Sequence, residues 1–185
     1  MKSLAIAATM AFVFASFNAQ ATDLITQLNG GNLLTVPSIT PYNAVHAAGE
    51  TSFYDDYTFT VADSVSNSVT SSVSFANFYG ITNLQARLYL GSTHETGATP
   101  FIQQAWSTSM STDAFTTVST VALGAKALAA GTYTLQVRGT VSGLGGGGYA
   151  GVLNIAAVPE TDTYAMLIAG LGVMGLVARR KSNQV

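Results

Sequence analysis

Asp55 is the side chain with the strongest claim to chemistry. It lies in Phe53-x-Asp55-x-Tyr57-x-Phe59-x-Val61, and a strand with that alternation carries every second residue on one face. The carboxylate therefore shares the aromatic, inward face, where a charge must be paired, hydrogen-bonded or metal-bound. Two readings stay open. A carboxylate near a strand's start can accept backbone N–H groups from a neighbouring loop. Alternatively, Asp55 and Asp56, with Asp63 or Glu95, supply hard oxygen ligands for calcium, although no D-x-D-x-D-G loop frames them. His46 and His94, the two histidines, fall in expected loops, and no ligand-type spacing joins them, so single exposed imidazoles are expected. Trp106, with Tyr42, Tyr79, Tyr89 and Tyr149, offers aromatic surface for stacking a sugar ring. Such residues in β-proteins are more often core or cross-strand partners. There is no cysteine nucleophile and no G-x-S-x-G elbow. No catalytic residue is assigned, the chain is read as a non-enzyme, and no cofactor is expected beyond the calcium option.

Gly170-x-Gly172-x-x-Gly175 matches a dinucleotide fingerprint in form only. No strand precedes it and ten residues remain after it, so no βαβ unit fits. With Ala169, these glycines make a small-residue surface that another helix can approach closely.

The elements that must hold these groups are strands. Val65, Val69, Val73 and Phe75 share one face and Ser66, Ser68, Thr70, Ser72 and Ser74 the other. Leu84, Ala86, Leu88 and Leu90 oppose Gln85, Arg87 and Tyr89; Tyr133, Leu135, Val137 and Val141 oppose Thr132, Thr134, Gln136, Arg138 and Thr140. Further strands are expected at Phe53–Val61, Thr116–Leu123 and Tyr149–Ala156, with a short one near Leu33–Val36 and one helical turn at Gly124–Ala130. Loops are expected at Asn29–Asn32, Pro41–Glu50, Gly91–Pro100 and Gly143–Gly148, the last a flexible glycine run. Antiparallel strands with one wet face bury the other by pairing two sheets. The expected fold is all-β: an antiparallel, jelly-roll-like β-sandwich of about seven or eight strands, with a closed barrel as the alternative.

Residues 22–157 form one domain of 136 residues, with seven acids against three bases (Arg87, Lys126, Arg138), a net of −4. No basic patch serves a nucleic acid, and without cysteine no disulfide staples the fold. The two ends look like addresses. Lys2, the uncharged Leu4 to Phe17 and Ala19-x-Ala21 read as a signal peptide, residues 1–21, cleaved after Ala21 and exported through the Sec machinery. At the other end, Tyr164 to Ala178 is uncharged over 15 residues, roughly 22 Å of helix against a ~30 Å hydrocarbon core. It reads as a marginal transmembrane helix, residues 163–178. The basic tail of residues 179–185, with Arg179, Arg180 and Lys181, marks the cytoplasmic side and stops transfer.

Val158-Pro159-Glu160, Tyr164-Ala165-Met166-Leu167, the glycines around Gly170-Leu171-Gly172 and Ala178-Arg179-Arg180-Lys181 resemble the C-terminal signal of the PEP-CTERM class of exported bacterial proteins. The motif occupies residues 158–161, with Thr161 where that class usually has a second proline. The resemblance implies a sorting signal, residues 158–185, read and cut near Pro159-Glu160 by an exosortase, a membrane protease. Phe53-x-Asp55-x-Tyr57, Ala130-Gly131-Thr132-Tyr133-Thr134-Leu135 and the glycine loop before the tail resemble the FxDxF family within that class. They are also similar to β-sandwich modules at the ends of secreted peptidases. The expectation is an exported protein, held briefly as a single-pass cytoplasmic-membrane intermediate with its domain in the periplasm, then placed at the cell surface or extracellular matrix. It acts by interaction, with exopolysaccharide as the partner; a glycan-binding module is the alternative and a secreted hydrolase a more distant one.

Overall fold

The computed structural model describes residues 22–75, 78–99, 101–107, 110–112, 116–157, 166–174 and 179. Ten strands run through them: β1 (Ile25–Gln27), β2 (Ser38–His46), β3 (Ser52–Val61), β4 (Ser64–Phe75), β5 (Ile81–Leu90), β6 (Ile102–Gln104), β7 (Met110–Thr112), β8 (Thr116–Leu128), β9 (Gly131–Val141) and β10 (Gly147–Ala157). They form two sheets, ordered β1-β3-β9-β5-β6 and β2-β10-β4-β8-β7. The pairs are antiparallel except β1 with β3. From β2 to β5, and again from β8 to β10, consecutive strands alternate between sheets. The result is a two-sheet β-sandwich with the nested winding of a jelly roll.

The longer expected strands are present, several of them extended. β8 runs on to Leu128, through the stretch where a helical turn was expected. Near Leu33–Val36 there is a single bridge, Leu33 to Thr60, in place of a strand. The larger correction is β2, which occupies most of the expected loop Pro41–Glu50. Proline removes a ladder donor and so argues against a strand, but β2 is a sheet edge, paired only with β10. Tyr42, Ala44 and His46 point inward from it.

β4 settles a choice that alternation left open. Its hydroxyl face, Ser64, Ser66, Ser68, Thr70 and Ser72, is the buried one, while Val65 is half-buried. Alternation defines two faces but does not say which turns inward. Here small residues make room for rings. The Tyr42 hydroxyl bonds Ser68 Oγ at 2.6 Å and Thr70 Oγ1, and its ring packs on Tyr57 at 4.7 Å between centroids. A Cβ on Gly151 of adjacent β10 would overlap the Tyr42 ring. Phe53, Phe59, Leu84, Leu135, Val137, Leu153 and Ile155 complete the layer between the sheets.

The glycine run is built into the fold rather than loose. Gly145 N–H donates to the Phe78 carbonyl at 2.6 Å, Gly80 N–H to the Gly146 carbonyl at 3.0 Å and Ser142 N–H to the Gly80 carbonyl at 3.0 Å. Gly146 has φ 97°, and a Cβ there would collide with the carbonyl of His46.

Residues 166–174 are helical and exposed. Among the described residues, no helix is long and apolar enough to cross a membrane. The leader with Ala19 and Ala21, the motif Val158-Pro159-Glu160, the remainder of the 163–178 span, Arg180 and Lys181 lie outside the described residues.

The tight loop predicts that Gly146→Ala, forcing an L residue to positive φ against backbone, costs about 2–4 kcal/mol. Gly97→Ala, with open space around its Cβ, changes stability by less than about 0.5 kcal/mol. The denaturant midpoint at constant m-value reads both.

Candidate functional site

Strand geometry sends Asp55 and Asp56 to opposite faces of β3, and both are fully buried, at 0% and 1% exposure. Each holds a histidine. On the inner side, His46 at the end of β2 places Nε2 2.9 Å from Asp55 Oδ2 and Nδ1 2.8 Å from Glu50 Oε2. Both ring nitrogens face carboxylate oxygens, so both must donate, which only the imidazolium can do. Its ring stacks on Phe53 at 3.8 Å between centroids. Tyr149 of β10 donates its hydroxyl to Asp55 Oδ2 and receives the Tyr57 hydroxyl at 2.9 Å. Asp55 Oδ1 accepts the N–H of Leu24 at 2.9 Å. Burial alone would lower the pKa of His46, but the hydrogen bonds and charges of Asp55 and Glu50 outweigh it and raise it above 6.5. Burial, then the Asp55 charge, push Tyr149 well above 10, so it remains a donor.

On the outer side, His94 from the loop after β5 places Nδ1 2.8 Å from Asp56 Oδ2 and Nε2 3.2 Å from Asp23 Oδ2. Gln136 donates to Asp56 Oδ1 at 2.6 Å. Burial is the leading influence on both partners. It raises the Asp56 pKa over the opposing pull of His94 and Gln136. It opposes the His94 proton but is outweighed by Asp56 and Asp23, leaving His94 raised above 6.5. The segment just before β1 is fixed by both acids: Tyr54 N–H donates to Asp23 Oδ1 at 2.7 Å and Asp56 N–H to the Leu24 carbonyl at 2.7 Å.

Beside this pair, the face of β5 and β9 expected to be wet is roofed by the segment after β5. Arg87, 1% exposed, donates from Nε to Gln136 Oε1 at 2.8 Å, from Nη1 to the Gly97 carbonyl at 2.7 Å and from Nη2 to the Glu95 carbonyl. Burial lowers its pKa from the ordinary guanidinium range; Tyr89 opposes that shift and the Arg138 charge adds to it. Tyr89, hydrogen-bonded to Asp56 and the Thr93 carbonyl, is pushed up to about 12 by burial first and Asp56 second. Trp106 lies among the cations, its ring centroid 4.4 Å from the Arg87 guanidinium carbon and 4.0 Å from that of Arg138. Tyr54 meets Trp106 edge-on at 6.2 Å.

Several sequence expectations change here. Asp55 does face inward and does accept a neighbouring backbone N–H. Asp56 is not brought together with it, so one calcium ion cannot bridge the two carboxylates. Asp63 instead accepts the Ala130 N–H at 2.7 Å. Among the described residues, no group of three or more His, Asp or Glu side chains is placed to hold a metal. His46 is a buried strand residue, not an exposed loop one, and His94, though in its expected loop, is bonded at both nitrogens. Neither imidazole has a free lone pair while those bonds stand. The Trp106 ring carries guanidinium groups rather than standing clear, so a sugar at this place meets Arg138 as well as the indole. Arg138, beside that ring, was not singled out by sequence reading; the visible signal was a lone cation among the outward residues of β9.

No family model matches this chain, and no curated protein does. Among solved structures it is similar to the pre-peptidase C-terminal domain of collagenase from Bacillus anthracis, at 14% identity and TM-score 0.34, over 67% of this chain and 92% of that one. It is also similar to Aeromonas hydrophila PliG, a periplasmic inhibitor of g-type lysozyme, at 14% identity and TM-score 0.30, over 72% and 99% of the two chains. Neither likeness is close enough to speak to fold or function.

Asp55→Asn leaves one acceptor oxygen, which can stay on Leu24 N–H, but sets an NH2 group against the two donors at the other position, His46 and Tyr149, and strips the imidazolium of a counter-charge. The expected loss is about 3–5 kcal/mol, read from urea unfolding, against less than about 0.5 kcal/mol for the exposed Asp63→Asn. The histidines also set a pH dependence. The folded chain holds their protons more tightly than the unfolded chain, so their stabilisation is complete below 6.5 and is lost as pH rises through the raised folded-state values. The raised Asp56 acts in the same direction. The melting temperature should fall from about pH 6 to about pH 9, and His46→Gln should flatten the fall. A melting temperature that rises over that range contradicts the assignment.

Proposed function

We propose that this chain is an exported cell-surface or extracellular-matrix protein, sorted through its C-terminus by an exosortase, whose β-sandwich acts by interaction with exopolysaccharide. The observation that carries the sorting reading is the order of the tail: Val158-Pro159-Glu160, an apolar run too short to span comfortably, then Arg179-Arg180-Lys181. In that reading the leader opens Sec translocation and the short span halts it. Pro159 keeps a helix from extending backwards, leaving the adjacent peptide bond extended and open to a protease. The basic residues hold the tail on the cytoplasmic side.

The outer face of the domain supports action by binding. Its one histidine, His94, is tied at both nitrogens, whereas the aromatic Tyr54 and the guanidinium of Arg138 meet at a cleft. A glycan-binding module is the second reading, favoured by the same Trp106–Arg138 stack.

Processing tests the sorting reading. In a bacterium that encodes an exosortase, the full chain should leave the membrane fraction with both ends trimmed. Pro159→Ala combined with Glu160→Gln should accumulate as a longer, membrane-bound form. A variant trimmed like the wild type, or a full-length wild-type product in the cytosol with its leader intact, contradicts the proposal.

A further inference from the structure

At the outer end of β3, β9 and β5 lies an open cleft of about 520 Å³, lined by Ser52, Tyr54, Asn83, Gln85, Arg138 and Thr140 among others. We propose that this cleft binds the carboxylate of an acidic, uronate-type oligosaccharide, with Arg138 as its anchoring cation. The proposal deepens the exopolysaccharide reading and rests on it for the choice of polymer.

Charge comes first. All four ion pairs among the described residues are made by the two histidines. They engage Asp23, Glu50, Asp55 and Asp56, four of the seven acids in residues 22–157. Asp56, whose charge is felt by Arg87, already receives Gln136 and His94. Glu95 offers Arg87 its backbone carbonyl. Arg87 and Arg138 thus both lie against one indole ring, with no carboxylate among the described residues bonded to either. Arg87 is buried and spends its donors on carbonyl and amide oxygens, so it contributes field rather than contact. Arg138 donates from Nε and Nη2 to a single neutral acceptor, Gln85 Oε1, at 2.8 and 2.6 Å. Of its five N–H groups, the remainder are not bonded within the described residues and lie beside the cleft.

Preorganisation is the second observation. The Arg138 guanidinium is held 4.0 Å from the Trp106 centroid and 6.0 Å from that of Tyr54, with Gln85 fixing one edge. A flat, oriented fork of this kind takes a carboxylate through paired N–H bonds and loses little freedom on doing so. The β5 ladder shifts register between Thr82 and Gln85, with Asn83 at φ 53°. Such a bulge re-aims side chains, and here it supplies two amides, Asn83 and Gln85, to the cleft wall.

The lining decides between polymers. Ser52 and Thr140 hydroxyls and the Asn83 and Gln85 amides both donate and accept, which suits sugar hydroxyls. A peptide would gain most by adding as a strand, but Arg138 sits on β9, which is paired with β3 on one side and β5 on the other along the cleft, so no backbone edge is open beside it.

The test uses the full chain purified in detergent, with oligogalacturonate, its methyl ester and poly-glutamate as probes, followed by calorimetry. Wild type should bind oligogalacturonate at least tenfold more tightly than the ester or the peptide. Arg138→Gln should lose at least tenfold toward the acid form only, and Asn83→Gly, which keeps the left-handed backbone and removes the amide, should weaken it several-fold. Equal binding of acid and ester, equal binding of poly-glutamate, absence of binding, or an Arg138→Gln chain that binds as wild type each overturns the cleft assignment. Cosedimentation with polysaccharide from the producing cells separates the two readings. If wild type and Arg138→Gln both sediment, the cleft fails and the broader reading stands. If wild type binds oligogalacturonate yet does not sediment with that polysaccharide, the cleft stands and the exopolysaccharide reading fails.

Discussion

Two neighbouring carboxylates on β3, turned to opposite faces by the pleat of the strand, organise the rest of this molecule. Asp55 reaches into the space between the sheets and Asp56 reaches out beneath the loop after β5, and each closes on an imidazolium. An unpaired charge at either place would cost several kcal/mol, whereas a bridged one is compensated by its partner and by added donors. The inner clamp ties four parts of the chain: the segment before β1, the end of β2, β3 itself and β10 through Tyr149. The outer clamp ties that same N-terminal segment to the loop carrying His94. With no cysteine in the chain, these polar knots supply long-range links that a disulfide framework would otherwise make.

The clamps also explain the outer surface. Because histidines hold four of the domain's acids, its two neighbouring arginines are left to neutral partners. Arg87 withdraws beneath the loop and satisfies itself on carbonyls. Arg138 is spread on Trp106 and faces outward. A domain with net negative charge therefore carries one local site where cations outnumber the anions able to answer them, which is the physical basis for assigning the cleft an anionic ligand.

What was legible in the sequence was periodicity. The alternation in β3, β5, β9 and β10 located those strands and placed Asp55 inward, because side-chain direction in a strand follows from position alone. What was not legible depended on partners distant in the chain. Alternation in β4 cannot reveal that Ser64, Ser66, Ser68, Thr70 and Ser72 face the core; that follows from the Tyr42 ring they accommodate. Pro41 hides β2 unless its edge position is known. His46 and His94 read as loop residues because their carboxylates lie 9 and 38 residues away along the chain. Four consecutive glycines read as slack, yet they are small because Gly80 and the His46 carbonyl press against them.

The protonation state of the two imidazoles bears most directly on this account. Side-chain nitrogen NMR of the histidines, recorded across a pH titration, distinguishes a ring with two N–H groups from a neutral tautomer with one. The structure predicts that His46 and His94 both keep two N–H groups past their ordinary midpoint of 6.5 and that Asp55→Asn lowers the midpoint of His46 alone. Two neutral rings with midpoints at or below that value would contradict the carboxylate clamps and the charge distribution that follows from them.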